Sequence, residues 1–227
     1  MALSDMHDQP DHEPKPFVAV ISPAKAQAFS LCAYRFAHDK KPFDVGGRQQ
    51  QLGKWVHELI HQDNVARISG RELPVDEVVF GQMPPAILLD NPDAQEWTIR
   101  IGRESLYGYR AFLEEHEFAA ILDAERYVRI PARPVIGVRN ARIIFSGRFD
   151  VAALGHDRSV ACVDIKTGAL YRQQRLMEAP SSFIYHHLTD YLYASEGIDH
   201  MCEAIDIVQV NPLTGQWGVR TLDCGTD

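Results

Sequence analysis

Asp150, Asp164 and Lys166 are the residues of this chain whose types and spacing most directly suggest chemistry. They lie in the stretch SGRFDVAALGHDRSVACVDIKTG, two apolar runs joined by Gly155-His156-Asp157-Arg158. Read as a β-hairpin, the first run ends at Asp150 and the second at Asp164 and Lys166. Residues two apart on a strand share a face, so Asp164 and Lys166 project together, and antiparallel pairing brings Asp150 beside them. Carboxylates so placed repel unless a cation lies between them. A hard divalent ion such as Mg²⁺ takes carboxylate oxygens and keeps several waters. It can lower the pKa of a bound water and stabilise charge on a phosphate. Lys166 adds a point charge able to orient the attacking water or the phosphoryl oxygens. Two aspartates and a lysine in this geometry suit phosphodiester hydrolysis.

A histidine pair offers a second centre. His57-Glu58-Leu59-Ile60-His61 matches the H-E-x-x-H of zinc peptidases, in which both histidines would hold Zn²⁺ and Glu58 would be the general base. That reading needs a third protein ligand, and no downstream Glu or His stands in a second recognisable motif. It also leaves Asp150, Asp164 and Lys166 unexplained. The alternative takes Gly53-x-x-x-His57 as the significant spacing, with His57 the only ligand on its helix and His61 a solvated residue.

Several elements must position these groups. Ser22 is an N-cap and Pro23 an N1 residue, which predicts a helix over 23–37 with Leu31, Tyr34 and Phe36 on its apolar surface. Residues 40–47 read as a loop. A second helix is predicted over 48–63, with Leu52, Val56, Leu59 and Ile60 on one face and His57 beside it. The Pro- and Gly-rich stretch 69–92 reads as a loose linker, followed by a long helix over 93–117. From Glu125 the pattern alternates, giving strands over 127–130, 141–151 and 159–166. A helix over 181–195, a strand over 204–210, a turn at 211–215 and a strand over 217–222 complete the order. Helices, then strands, then a helix, then strands argue a mixed α/β core.

Asp150 followed by Asp164-Ile165-Lys166-Thr167-Gly168 resembles the core motif of the PD-(D/E)XK nuclease superfamily. The RecB-type exonuclease branch, which includes CRISPR-associated exonucleases, carries Gly-x-x-x-His on a helix, matched by Gly53 and His57. It often opens on a Ser-Pro helix and Cys-x-Tyr-x-Phe, as Ser22-Pro23 precedes Cys32-Ala33-Tyr34-Arg35-Phe36. The ordered matches run from Ser22 to about Tyr191. The resemblance implies an α/β restriction-endonuclease-like core, a central mixed β-sheet flanked by helices. It implies Mg²⁺ or Mn²⁺ held by His57, Asp150, Asp164 and the backbone carbonyl of Ile165, with Lys166 the catalytic lysine. The branch has Gln-x-x-x-Tyr on the next helix, and His187 and Tyr191 occupy those positions here, so a histidine replaces the glutamine. His187 and Tyr191, with Arg172 and Arg175 after the lysine, are candidate phosphate contacts. Their bland alternatives are helix core for Tyr191, alongside Tyr185 and Tyr193, and a solvated loop for the arginines. Relatives with an iron–sulfur cluster need four thiolates. Cys32 fits the early position, but Cys202 and Cys224 form no C-x-x-C pair, so no cluster is expected and Cys32 reads as a buried apolar residue.

Composition bounds these readings. The chain has 227 residues and is 45% hydrophobic, enough for one domain with a sizeable core. A polar, disordered arm is expected over 1–17, then one nuclease domain over 18–227, helical to about 120 and sheet-based from about 121. The first fifteen residues lack an apolar h-region and no run is long enough to span a membrane, so a cytoplasmic protein with reduced thiols is expected. A net charge of −8 argues against coating nucleic acid through bulk positive charge, not against a local basic groove. The resemblance implies a metal-dependent exonuclease on single-stranded DNA ends, with a possible protein partner in a recombination, repair or CRISPR complex. A non-cleaving nucleic-acid-binding or structural subunit of the same fold is the alternative.

Overall fold

The computed structural model describes residues 17–23, 25–26, 47–116, 118–131, 133–134, 136–137, 141–155, 160–167, 180–195, 204–211, 213–214 and 216–223. Most of the expected first helix, the turn at His156, Arg172, Arg175, Cys32, Cys202 and Cys224 lie outside them. At the start of that helix the Ser22 hydroxyl accepts from the Lys25 N–H at 3.3 Å, and its carbonyl accepts from Ala26 at 2.9 Å, the pattern of an N-cap.

Three helices follow among the described residues: α1 (Arg48–Ile68), α2 (Val75–Gly81) and α3 (Pro92–His116). The expected end of α1 at Asp63 is exceeded by more than a turn. Asp63 and Asn64 are buried there rather than terminal: Arg67 and Arg110 both pair with the Asp63 carboxylate, and the Tyr109 hydroxyl donates to Asn64 Oδ1 at 3.0 Å. The contacts from Arg110 and Tyr109 pin α1 to α3. The stretch expected to be a loose linker holds α2 and a 3-10 turn, Ala86–Leu88. Pro74 and Pro85 precede them with φ already near the helical value, and Val75, Val78, Val79 and Leu88 are buried. Segments this short show too few turns for periodicity to reveal them.

Nine strands form two sheets among the described residues. The smaller contains β1 (Phe17–Ile21), β3 (Tyr127–Arg129), β4 (Arg133–Pro134) and β5 (Ala141–Arg148). Here β1 runs parallel to β5, while β3 and β4 pair with it antiparallel. The larger has the order β2-β6-β7-β8-β9, from β2 (Ala120–Ala124), β6 (Val151–Leu154), β7 (Val160–Ile165), β8 (Ala204–Asn211) and β9 (Gln216–Asp223). Only β7 and β8 run parallel, and α4 (Pro180–Ser195) lies between them in sequence. The α/β core with a mixed sheet is thus present. The strand expected over 141–151 divides at Phe149-Asp150, because the chain leaves one sheet for the other there.

Side chains alternate across β6 and β7 and separate two cores. Val151, Ala153, Ala161, Val163 and Ile165 pack with α1, α2 and α3. Ala152, Val160 and Cys162 pack with Ile184, Leu188, Leu192 and Tyr193 of α4. A strand buried on both faces must be apolar along its length, as VACV is. β6 and β7 thus form a layer between α1, α2 and α3 on one face and α4 on the other.

Candidate metal and active site

The acids gather where β6 begins and β7 ends. Asp150 precedes β6 rather than ending β5, and antiparallel pairing sets Val151 opposite Val163. The Asp150 carboxylate reaches across to β7, where Oδ2 accepts the Ile165 N–H at 2.8 Å. That backbone bond fixes its direction.

Helix α1 supplies the imidazole. Gly53 lies one turn before His57, and a Cβ on Gly53 would stand 2.9 Å from Thr167 Oγ1, just past β7. The missing side chain lets the helix come close to the strand end. Trp55, Val56, Leu59 and Ile60 are buried, which turns His57 to the rim of the core. His57 Nδ1 stands 3.6 Å from Asp150 Oδ1 and 3.8 Å from Glu125 Oε1.

Glu125 was not singled out from the sequence. It follows β2 with φ of 54°, left-handed backbone that a glutamate rarely adopts, and its N–H donates to the Asp150 carbonyl at 3.0 Å. The bond ties the turn between β2 and β3 to the crossover before β6. One ligand atom each from His57, Glu125 and Asp150 lies within 4.8 Å of the other two. An acid at a turn, one among many in the chain, gave no spacing signal; its unusual backbone shows only in three dimensions.

Asp164 faces the other side of the sheet. It shares its strand face with Val160 and Cys162, toward α4, and its Oδ1 accepts from Lys166 Nζ at 2.7 Å. The expected pairing of Asp164 with Lys166 is therefore present, but Asp164 is not part of the group that closes within 4.8 Å. A void of about 10 Å³ between Asp150, Asp164, Cys162 and Tyr185 separates the acids on the α4 side. Tyr185 lines this void, and burial, with the charges of Asp164 and Asp150, pushes its phenol above its usual range. His187 instead stacks on Phe145 of β5 with centroids 6.1 Å apart, and Tyr191 packs against the core beneath α4.

Electrostatics favour a cation. Burial pushes the Asp150 carboxyl up to about 6; the His57 charge opposes this and the Asp164 charge adds to it. Burial pulls the His57 imidazole down, but the Glu125 hydrogen bond and the charges of Asp150 and Glu125 prevail, and it stands above its ordinary 6.5. The cluster thus retains protons that a divalent ion would displace. Two carboxylate oxygens and one imidazole nitrogen are a donor set that Mn²⁺ accepts well and Mg²⁺ tolerates. The residues present fit such an ion.

The cluster opens on a cavity of about 710 Å³. One face of α1 lines it with Gln49, Gln50, Gly53, Lys54, His57, Glu58 and His61; Glu125, Arg148, Asp150 and Thr167 complete the wall. Arg148 Nη1 is 3.6 Å from Glu125 Oε2. His61 is half-buried on this wall rather than solvated, and it takes no part in the metal-competent group. The Glu58 carboxylate accepts from the Gln62 amide at 2.9 Å. Among the described residues, no group of three metal-ligating side chains joins His57 and His61, as a zinc peptidase would need.

The family model described as the PD-(D/E)XK nuclease superfamily matches residues 20–198. No curated protein matches the chain. No helix among the described residues is long and apolar enough to cross a membrane.

Proposed function

The chain belongs to the PD-(D/E)XK nuclease superfamily, and from that premise we propose that it is a Mg²⁺- or Mn²⁺-dependent deoxyribonuclease, an exonuclease acting on single-stranded DNA ends. The observation that carries the proposal is the convergence of His57, Glu125 and Asp150 within 4.8 Å, beside a lysine paired with a further acid. His57, Asp150, Asp164 and the Ile165 carbonyl would hold the ion, and Glu125 joins that set by its position. When bound, the ion supplies charge neutralisation at the phosphate and a more acidic water.

The chain's own groups do the rest. The Ile165 N–H and the Glu125 backbone bond hold Asp150 in one orientation before substrate arrives. Lys166, held by Asp164, presents an ammonium to the phosphoryl oxygens or the attacking water. The cavity along α1 admits the strand, and Lys54 and Arg148 on its wall answer the phosphate charge. Tyr185 borders the acids from the α4 side.

Preference for ends and for single strands follows the resemblance to the RecB-type branch, as do a single nuclease domain over 18–227, cytoplasmic work and a recombination, repair or CRISPR partner. The test is Mn²⁺-dependent cleavage of end-labelled linear and circular single-stranded DNA. The linear form should be degraded and the circle spared, and Asp164→Ala should abolish cleavage with the fold retained. Cleavage undiminished in Asp164→Ala removes the site assignment. A wild-type protein that binds DNA without cutting it would be the silent, binding member of the fold, to which the charge of −8 and the His187 replacement give some weight.

A further inference from the structure

We propose that His61 is a positioning residue for the substrate strand, holding the phosphate next to the one that is cleaved. The inference rests on the proposed nuclease reading and extends it along α1. At about 100° per residue, Gln50, Lys54, His57 and His61 fall within about 60° of the helix surface, one straight stripe. All four line the same cavity. His61 lies about 6 Å beyond His57 along the helix axis, a spacing of the order of one nucleotide of a stretched strand. A strand laid along the stripe with one phosphate at His57 therefore brings the next to His61.

The state of the ring supports this use. His61 Nδ1 is sealed from solvent with no hydrogen-bond partner among the described residues, while Nε2 is not among the sealed atoms. A buried N–H without an acceptor costs more than a buried lone pair without a donor. The favoured tautomer thus keeps its hydrogen on Nε2, the nitrogen left open on a residue that lines the cavity. An N–H fixed on a half-buried ring is a pre-aimed donor for a phosphate oxygen, unlike the ammonium of the exposed Lys54. Glu58 is the acid beside this stripe, and its bond to Gln62 holds its carboxylate one turn further on.

The experiment compares His61→Ala and His61→Gln with wild type on two substrates under Mn²⁺. One is a single-stranded oligonucleotide; the other is thymidine 5′-(4-nitrophenyl phosphate), which has only the phosphate to be cleaved. His61→Ala should raise KM for the oligonucleotide about tenfold, as expected for one lost hydrogen bond to a charged group, with kcat and the small ester unchanged. His61→Gln, which restores a donor, should recover most of the loss. An equal effect on both substrates, or on neither, overturns the proposal. Should wild type cleave neither substrate, the nuclease reading fails, and His61 is judged by fluorescence anisotropy with a labelled oligonucleotide and Ca²⁺. A tenfold weaker complex of His61→Ala then supports the contact, and equal affinity overturns it.

Discussion

Replacing Asp150 with asparagine should stabilise the metal-free protein at pH 8. The carboxyl is held at about 6 against an ordinary 3.8, which corresponds to about 3 kcal/mol of penalty on the charged form in the folded state. Its side chain keeps 16% exposure, so water screens part of this, and the expected gain is about 1–3 kcal/mol. Asparagine keeps an oxygen to accept the Ile165 N–H, so the local backbone is preserved. The sign follows from linkage. A carboxyl whose folded pKa is raised favours the folded state fully below about pH 4 and loses that contribution as pH rises through about 6. Denaturant unfolding with EDTA, from pH 4 to 8, should show wild type losing stability relative to Asp150→Asn across that window. Saturating Mn²⁺ should then stabilise wild type and leave the variant nearly unmoved. A variant less stable than wild type at pH 8, or a difference that ignores pH, would refute the reasoning.

Glu125→Gly removes a carboxylate from the cluster and an L side chain from φ of 54°, so the metal-free fold should gain about 1 kcal/mol while Mn²⁺ affinity, measured by calorimetry, falls at least tenfold. Mn²⁺ binding should weaken as pH falls through about 6, because the ion must displace protons held by both His57 and Asp150, by up to about tenfold per pH unit for each proton. Calorimetry at pH 6 in buffers of different ionisation heat should show that release, and none would count against the proposed ligands. Gly102→Ala would set a Cβ 2.6 Å from the Trp55 ring and 3.1 Å from Leu59, so thermal melting should show a loss of about 1–2 kcal/mol even though alanine favours helix.

The long elements were legible because their patterns persist for several turns or alternations. The helix expected over 93–117 is Pro92–His116, and the strand expected over 159–166 is Val160–Ile165. Phe17–Ile21 and Ala120–Ala124 escaped notice, since neither alternates cleanly and both owe their conformation to a partner strand. At the site, the acids and lysine could be read from strand ends because a hairpin is local and its register follows from the turn. The sides of the sheet could not: Asp150 turns to α1 at a crossover between sheets, while strand alternation commits Asp164 to α4. The contributions of Glu125 and Tyr185 depend on which elements meet, and no spacing along the chain encodes that meeting.

The bond from the Ile165 amide to the Asp150 carboxylate makes one proton a natural reporter. Its resonance should move whenever that carboxylate gains a proton, gives it up or takes on a cation. A nitrogen–proton spectrum could therefore follow ion loading through a group already built into the backbone, with no label placed in the cleft.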